Sequence, residues 1–416
     1  MLKYLNIKVN FAIILAKQNH REESDYINTS KLWTKPFLLL LSASFLNALA
    51  FNMVYTNIVD YSIKRLDTSM ALAGTISGIF SISALFIRPV AGILTDRSNK
   101  KNLCVIATLV IATVCLGYTF CPNTGFMLAF RILHGAAFGV SSTVNVALAS
   151  CYLPKTRLAE GIGYYGLGQV FAQAVGPGIG EAVQGLFGYN MMFIFISVLT
   201  FLAVGILLLV RYDYIPNERS PSDNSLSSIL HSIFAIEVLM YAIVNGIFSF
   251  GNGIINAFLK TMCQEREIHG FAWFFTVSAI VLFVVRISIG KISDRKGIRS
   301  IVNISLIITA LSLCVLANSN ILATLLFAGA LKAAGQGAGQ VSLQAECIKR
   351  VRPNRVGVAN STFFIGADIG QGVSPIIGGV LVSSFGYSST FYMTAALFII
   401  AFIAFNLYQK RLVKAG

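Results

Sequence analysis

The sequence predicts an all-α membrane protein: twelve transmembrane helices in two pseudo-symmetric six-helix bundles. Composition, an internal repeat and the placement of basic residues predict it. Of 416 residues, 56% are hydrophobic and only 12% charged, whereas a soluble domain carries about 25% charged residues. So little charge cannot clothe a water-facing surface, so the surface must meet lipid. The repeat is carried by a charged turn between two apolar runs, Gly92-Ile-Leu-Thr-Asp-Arg-Ser-Asn-Lys-Lys101, which returns 198 residues later as Gly290-Lys-Ile-Ser-Asp-Arg-Lys-Gly-Ile-Arg299. Arg88 and Arg286 each stand four residues before the leading glycine. The same register carries Asn47 onto Asn245, Gly139 onto Gly337, Pro177 onto Pro375, Gly180 onto Gly378, and Phe187-Gly-Tyr onto Phe385-Gly-Tyr. One register over half the chain marks two copies of one unit, placed side by side in a membrane.

The basic residues give orientation. Of 32 Lys and Arg, only Lys64, Arg65, Lys260 and Arg266 fall in loops on one side, and Arg88, Arg131, Arg286 and Lys332 inside apolar runs. All the others fall on the opposite side, which the positive-inside bias makes cytoplasmic. The net charge of +15 is therefore topology, and no nucleic-acid partner is expected. The seven Cys are scattered without a Cys-x-x-Cys, so neither a metal site nor a redox site is expected.

A helix needs about twenty apolar residues to cross the hydrocarbon. Twelve windows meet that length, at roughly 36–58, 69–93, 102–120, 124–148, 158–183, 190–211, 233–258, 270–292, 300–317, 321–345, 356–382 and 388–409. The even count puts both termini on the cytoplasmic side. Residues 1–35 form a basic tail, too short in its apolar part to span and expected to lie on the anionic leaflet. Residues 36–211 form the first bundle, 212–232 a Pro/Ser-rich linker, 233–409 the second bundle, and 410–416 a short tail. Gly161-Ile-Gly-Tyr-Tyr-Gly166 matches a dinucleotide fingerprint, but it sits inside a span rather than after a strand. Its glycines are expected to allow close helix–helix contact. No phosphate-binding Gly-x-x-x-x-Gly-Lys-[Ser/Thr], metal cluster or Ser/His/Asp spacing is present, so an enzyme is not expected.

Charges at membrane depth are costly and face a cavity or a partner. Arg131, His134, Ser142 and Asn145 follow helical spacing and share one face. Lys332 and Asp368 both reach mid-membrane at about 1.5 Å per residue. A buried carboxylate changes protonation with the company of a cation, so Asp368 can take a proton from one side and release it to the other, with Lys332 as its partner. The competing reading is a static Lys332–Asp368 pair. Gln336 and Gln340 continue the Lys332 face, and Gln371 lies one turn from Asp368; amides there suit a polar solute.

Twelve spans, a central linker and the repeated Gly-x-x-x-Asp-Arg turn resemble the major facilitator superfamily over everything after residue 35. That family's loop between spans 2 and 3 reads Gly-x-x-x-Asp-Arg-x-Gly-[Arg/Lys]-[Arg/Lys]. This chain supplies Gly92, Asp96, Arg97, Lys100 and Lys101, with Asn99 in place of the second Gly; Asn tolerates a left-handed turn. The second copy supplies Gly290, Asp294, Arg295 and Gly297. The resemblance implies a latch on one access state built from these residues with Arg88 and Arg286. Its usual acidic partner at the end of span 4 is missing, with Glu160 as a substitute and Glu346 serving the second copy. Arg131-x-x-x-Gly135 is similar to the family's span-4 pattern. Gly176-Pro177-Gly-Ile-Gly180-Glu181 resembles the signature of the family's antiporters, with departures at Ala172 and Glu181, and implies export.

Asn47 and Asn245 hold equivalent places in spans 1 and 7, which line the cavity in this family. Tyr55 and Asn252 lie on neighbouring turns and join the candidate contacts, although aromatics at such spacing more often pack than bind. The candidate substrate set is therefore Asn47, Tyr55, Arg131, His134, Asn245, Asn252, Lys332, Gln336, Gln340 and Gln371, with Asp368, Lys332 and Arg131 for proton coupling. The expectation is a monomeric multi-pass protein of a bacterial plasma membrane that exports a small organic solute in exchange for protons, without cofactor or metal. Multidrug efflux is the family default, whereas Arg131 and Lys332 favour an anionic or zwitterionic metabolite such as a metallophore. The alternatives are a proton-coupled nutrient importer and, from another class, a membrane sensor or scaffold that transports nothing.

Overall fold

The computed structural model describes residues 32–154, 157–212, 235–351 and 356–415, and within them all side chains except those of 96–97, 158–160, 287, 290–296, 356–357, 360 and 412–415. The basic tail up to residue 31, nearly all of the linker, and the side chains of Glu160, Asp96, Arg97, Asp294 and Arg295 thus lie outside the described residues. Among the described residues ten α-helices follow one another: α1 Lys35–Leu66, α2 Met70–Arg97, α3 Lys100–Gly117, α4 Thr124–Ser150, α5 Leu158–Leu209, α6 Leu239–Glu265, α7 Ala272–Lys296, α8 Ile298–Ala317, α9 Leu322–Lys349 and α10 Val356–Ala415. No strand occurs among the described residues. Eight of these helices are long and apolar enough to cross a membrane. In α9 the apolar sequence is diluted by Lys332, Gln336 and Gln340.

Polar caps start the early helices. Thr34 accepts from the Phe37 amide, Ser69 from Leu72, Asn99 from Asn102 and Asn123 from Phe126; each satisfies a donor the helix cannot. Asn99 is extended (φ −62°, ψ 109°), so it does not adopt the left-handed turn expected of it. It replaces glycine by capping α3. Gly297, its counterpart, does take a positive φ of 74°.

The two longest helices, α5 with 52 residues and α10 with 60, are each kinked at a glycine, Gly188 (φ 81°) and Gly386 (φ 77°). These are the glycines of the repeated Phe-Gly-Tyr. Only glycine takes such a φ without steric cost, so each helix folds as two arms where the sequence places two windows.

Arms and helices alternate in direction. One face, here called terminal, carries residues 32, 98–99 and 210–212; the opposite, distal face carries the turns at 67–69, 121–123, 188, 266–271, 318–321 and 386. Interhelical bonds fix each face. Distally, Arg266 donates to the Leu316, Ala317 and Ser319 carbonyls and to Ser388. On the terminal face, Lys101 donates to the Leu208 carbonyl, and Arg299 to Asn406.

Helices α1–α5 pack together, as do α6–α10, and the groups meet through α2 with α10, α5 with α7, and α1 with α6. The α2–α10 contact is nearly backbone to backbone. A Cβ on Gly74 would stand 2.1 Å from the Pro375 carbonyl oxygen, and one on Gly78 2.3 Å from that of Gly372. Within the halves, Gly176 and Gly180 bring α5 against Asn52 and Asn57 of α1, with Pro177 between them, and Gly370 brings α10 against the Gly246 carbonyl of α6. The fingerprint-like glycines behave differently from expectation. Gly161 abuts Leu153, but Gly163 has open space and Gly166 meets only the tip of Arg286, so no helix pair closes there.

Candidate functional site

Between the halves lies a cavity of about 110 Å³ lined by Gln173 of α5, Asn252 of α6, Ser278 and Arg286 of α7, and Lys332, Gln336 and Gln340 of α9. Helical spacing puts Lys332, Gln336 and Gln340 on one stripe of α9. Lys332 is buried, and its Nζ donates to Asn252 Oδ1 at 2.7 Å. Gln336 donates to Gln340 (3.0 Å), Gln340 to Asn245 (2.9 Å), and Asn245 to the Phe363 carbonyl (3.0 Å). The result is a rail of amides anchored on the α10 backbone. Arg286, exposed, stands at the cavity with no ion-pair partner among the described residues. Among the described residues, two cations and no carboxylate line this space.

Asp368 does not pair with Lys332, contrary to the pairing the sequence suggested. Its partner is Arg88 of α2: Nε lies 2.6 Å from Oδ2, and Nη2 donates to Oδ1 at 3.1 Å. The two side chains stay 28% and 18% exposed. The pair therefore joins the halves along the α2–α10 contact, with its bonded Nε and Oδ2 atoms buried and the rest of both side chains partly exposed.

Arg131 and His134 are withdrawn from the cavity. Arg131 is 1% exposed and donates to the Ile76 and Ser77 carbonyls, both at 2.9 Å, with its guanidinium 4.6 Å from the Phe80 ring centroid. His134 Nδ1 bonds the Tyr118 hydroxyl at 2.8 Å. Both are satisfied inside the first half, because the shared helix face points at α2 rather than across the interface. Tyr55 is buried, with Gln371 of α10 beside its hydroxyl. The Asn47 amide is buried without a hydrogen-bond partner among the described residues, whereas Asn245 is fully engaged. Of the loop residues, Gly92 and Gly290 continue their helices, Lys100 and Lys101 open α3, and the side chains of Asp96, Arg97, Asp294 and Arg295 are not described. Glu346 pairs with Arg350 of its own helix at 2.8 Å.

A second charged cluster, absent from the sequence-derived set, closes the distal face. Asp60 of α1 lies 2.9 Å from Lys260 of α6 and 2.9 Å from Lys64. It also accepts from the Tyr189 hydroxyl and from Gln264. Lys260 donates further to Asn57 at 2.6 Å and Gln184 at 3.1 Å. Asp60 and Lys260 are 1% and 2% exposed, so this pair is sealed from water. The signal for it was a carboxylate and a lysine near the ends of equivalent spans; Lys260 reads as a loop charge, and nothing in the spacing singles out Asp60.

A helical fold whose halves meet around a polar cavity, sealed on one face by charge, defines a solute transporter. The family model of the Major Facilitator Superfamily matches residues 40–267 and 241–414, and the chain belongs to that superfamily. It is similar to the multi-drug resistance efflux pump PmrA of Streptococcus pneumoniae (24% identical over 354 residues, covering 82% of this chain and 86% of that protein). It is also similar to the multidrug resistance protein MdtG of Serratia proteamaculans (26% over 390 residues, 87% and 91% covered). Among solved structures, a bacterial homologue of the lysosomal transporter Spinster superposes with a TM-score of 0.77 at 15% identity, covering 90% of this chain and 97% of that one.

Proposed function

We propose that the protein exports an anionic or zwitterionic organic solute in exchange for protons. On this reading the chain crosses the membrane twelve times, each kinked helix contributing two crossings, and both termini are cytoplasmic, as the basic residues require. The distal face is then the outer one, and the Asp60–Lys260 cluster closes it. The observation that carries the reading is the cavity itself: Lys332 and Arg286 line it, and among the described residues no carboxylate does. An anionic group displaces little favourable protein contact there, whereas a lipophilic cation meets two like charges.

Asp368 is the group suited to the proton. It sits on the seam between the halves, its counter-ion Arg88 belongs to the other half, and both side chains stay partly exposed. While Asp368 is ionised, the pair ties α2 to α10. A proton on Asp368 removes the charge that holds Arg88, so protonation and the relative position of the halves become linked. Solute on the Lys332 face and proton on Asp368 then report to one rocking motion about a midplane site. The relatives named as multidrug efflux pumps support the outward direction.

The test is a proteoliposome assay with a pH indicator inside and gradients of acidic, zwitterionic and cationic solutes. Acidic or zwitterionic solutes are expected to move protons the opposite way. Asp368→Asn is expected to abolish proton movement while solute counterflow persists. Transport of cationic dyes alone, unaffected by Arg286→Gln with Lys332→Gln, contradicts the reading. Proton movement in the same direction as solute would make the protein a symporter.

A further inference from the structure

The two halves contribute unequally to the cavity that holds Lys332. Among the described residues, Gln173 of α5 is the one lining residue from the first half; the others belong to α6, α7 and α9. In the register of the repeat Gln173 matches Gln371. Gln371 stands beside the Tyr55 hydroxyl of the first half, so each glutamine turns to the half it does not belong to.

The backbone of Gln173 is held while its amide is unengaged. One residue on, the Ala174 carbonyl accepts from Thr276 of α7 at 3.0 Å. Val170 and Ala174 are buried there with Ala279, and Leu282 packs on them. One turn earlier, Gln169 is tied inside the first half, donating to Ser44 at 2.9 Å. Gln173 itself is half-buried and makes no hydrogen bond among the described residues. In the second half the polar groups are committed to one another: Lys332 to Asn252, Gln336 to Gln340 and Gln340 to Asn245. A glutamine amide offers two N–H donors and a carbonyl acceptor, and each bond made to it contributes about 0.5–1.5 kcal/mol.

We propose that Gln173 is the specificity-determining contact of the first half: the solute's anionic group binds Lys332, and a hydroxyl or amide at its other end binds the Gln173 side chain. This rests on the transport reading above and narrows its substrate class to short organic acids with a second hydrogen-bonding group. Size agrees, since a cavity of about 150 Å³ takes benzene and this one has about 110 Å³. A solute held at both ends touches both halves; one held by Lys332 alone touches only the second. Only the former binds differently when the halves stand apart, and a ligand shifts a conformational equilibrium only by such a difference. Gln173 thus separates solutes that are moved from solutes that merely bind.

The probes are ω-hydroxyalkane-1-sulfonates with chains of two to five carbons, each paired with the alkane-1-sulfonate in which a methyl replaces the hydroxyl. All are permanently charged, so leakage through lipid is negligible. Binding to the purified protein and saturable counterflow into proteoliposomes are both measured. At the best-fitting chain length the hydroxyl compound is expected to bind about tenfold better than its partner and to be the one that exchanges. Gln173→Leu is expected to erase that ratio, whereas Lys332→Gln is expected to weaken both members and keep it. Gln173→Asn withdraws the amide by one methylene and is expected to move the best hydroxyl compound to the next longer chain. An unchanged ratio in Gln173→Leu, an unchanged best chain in Gln173→Asn, or no preference for any hydroxyl compound in the unaltered protein overturns the role of Gln173, and counterflow of any solute then leaves transport standing. A Gln173-dependent ratio without counterflow of any solute supports the contact and overturns the transport reading instead.

Discussion

Among the described residues, two ion pairs bridge the halves of this protein, and they differ in how far they are buried. Asp60–Lys260 is closed in on all sides: Tyr189, Gln264, Asn57, Gln184 and Lys64 complete its hydrogen bonds, and neither side chain exceeds 2% exposure. Arg88–Asp368 carries no further side-chain partner among the described residues and remains partly wet. A dry, fully bonded pair resists removal of one member but exchanges no protons with solvent. A wet one costs little to separate and can titrate. The first is suited to holding a face shut and the second to reading protons.

Removing one member of the dry pair gives the largest effect. Asp60→Ala leaves Lys260 buried without its ion-pair partner, which costs about 3–5 kcal/mol. Thermal unfolding in detergent should show it, and Asp60→Ala with Lys260→Met should regain most of the loss, since it leaves no orphaned charge. Gly74→Ala attacks the same closure without touching charge. Its Cβ would lie 2.1 Å from the Pro375 carbonyl oxygen, an overpacking worth about 1–3 kcal/mol. Greater reactivity of distal-face cysteine probes is the expected readout. Asp368→Asn should destabilise less than Asp60→Ala, because both members of that pair keep some exposure, while proton coupling is lost. Lys64→Ala should be the mildest, within about 1 kcal/mol, because Lys64 is 50% exposed and Asp60 keeps Lys260. A Lys64→Ala effect as large as that of Asp60→Ala would mean that the sealed pair is not the strong contact.

The sequence carried the architecture further than the contacts. The register of the repeat marked Gly188 and Gly386, where the long helices kink, and set Arg88 and Arg286 apart as span-embedded charges. Spacing along α9 collected Lys332, Gln336 and Gln340 on the stripe that lines the cavity. What spacing cannot tell is which neighbour a face meets. Arg131 and His134 share a stripe just as regular, yet it turns toward α2, where main-chain carbonyls consume the guanidinium. Asp368 met its partner across 280 residues of chain, a choice made by the packing of α2 on α10. Asp60 and Lys260 were hidden for a different reason. Near the end of an apolar run, a charged residue buried against another helix looks the same as one in a loop.

The claim that most directly carries this account is that the distal face opens when the Asp60–Lys260 pair parts. Spin labels at Arg65→Cys and Glu265→Cys, with the seven native cysteines replaced, measure the separation of α1 and α6 on that face. The account predicts a short distance together with a longer one, and Asp60→Asn should shift population toward the longer. A single short distance that Asp60→Asn leaves unmoved would contradict it.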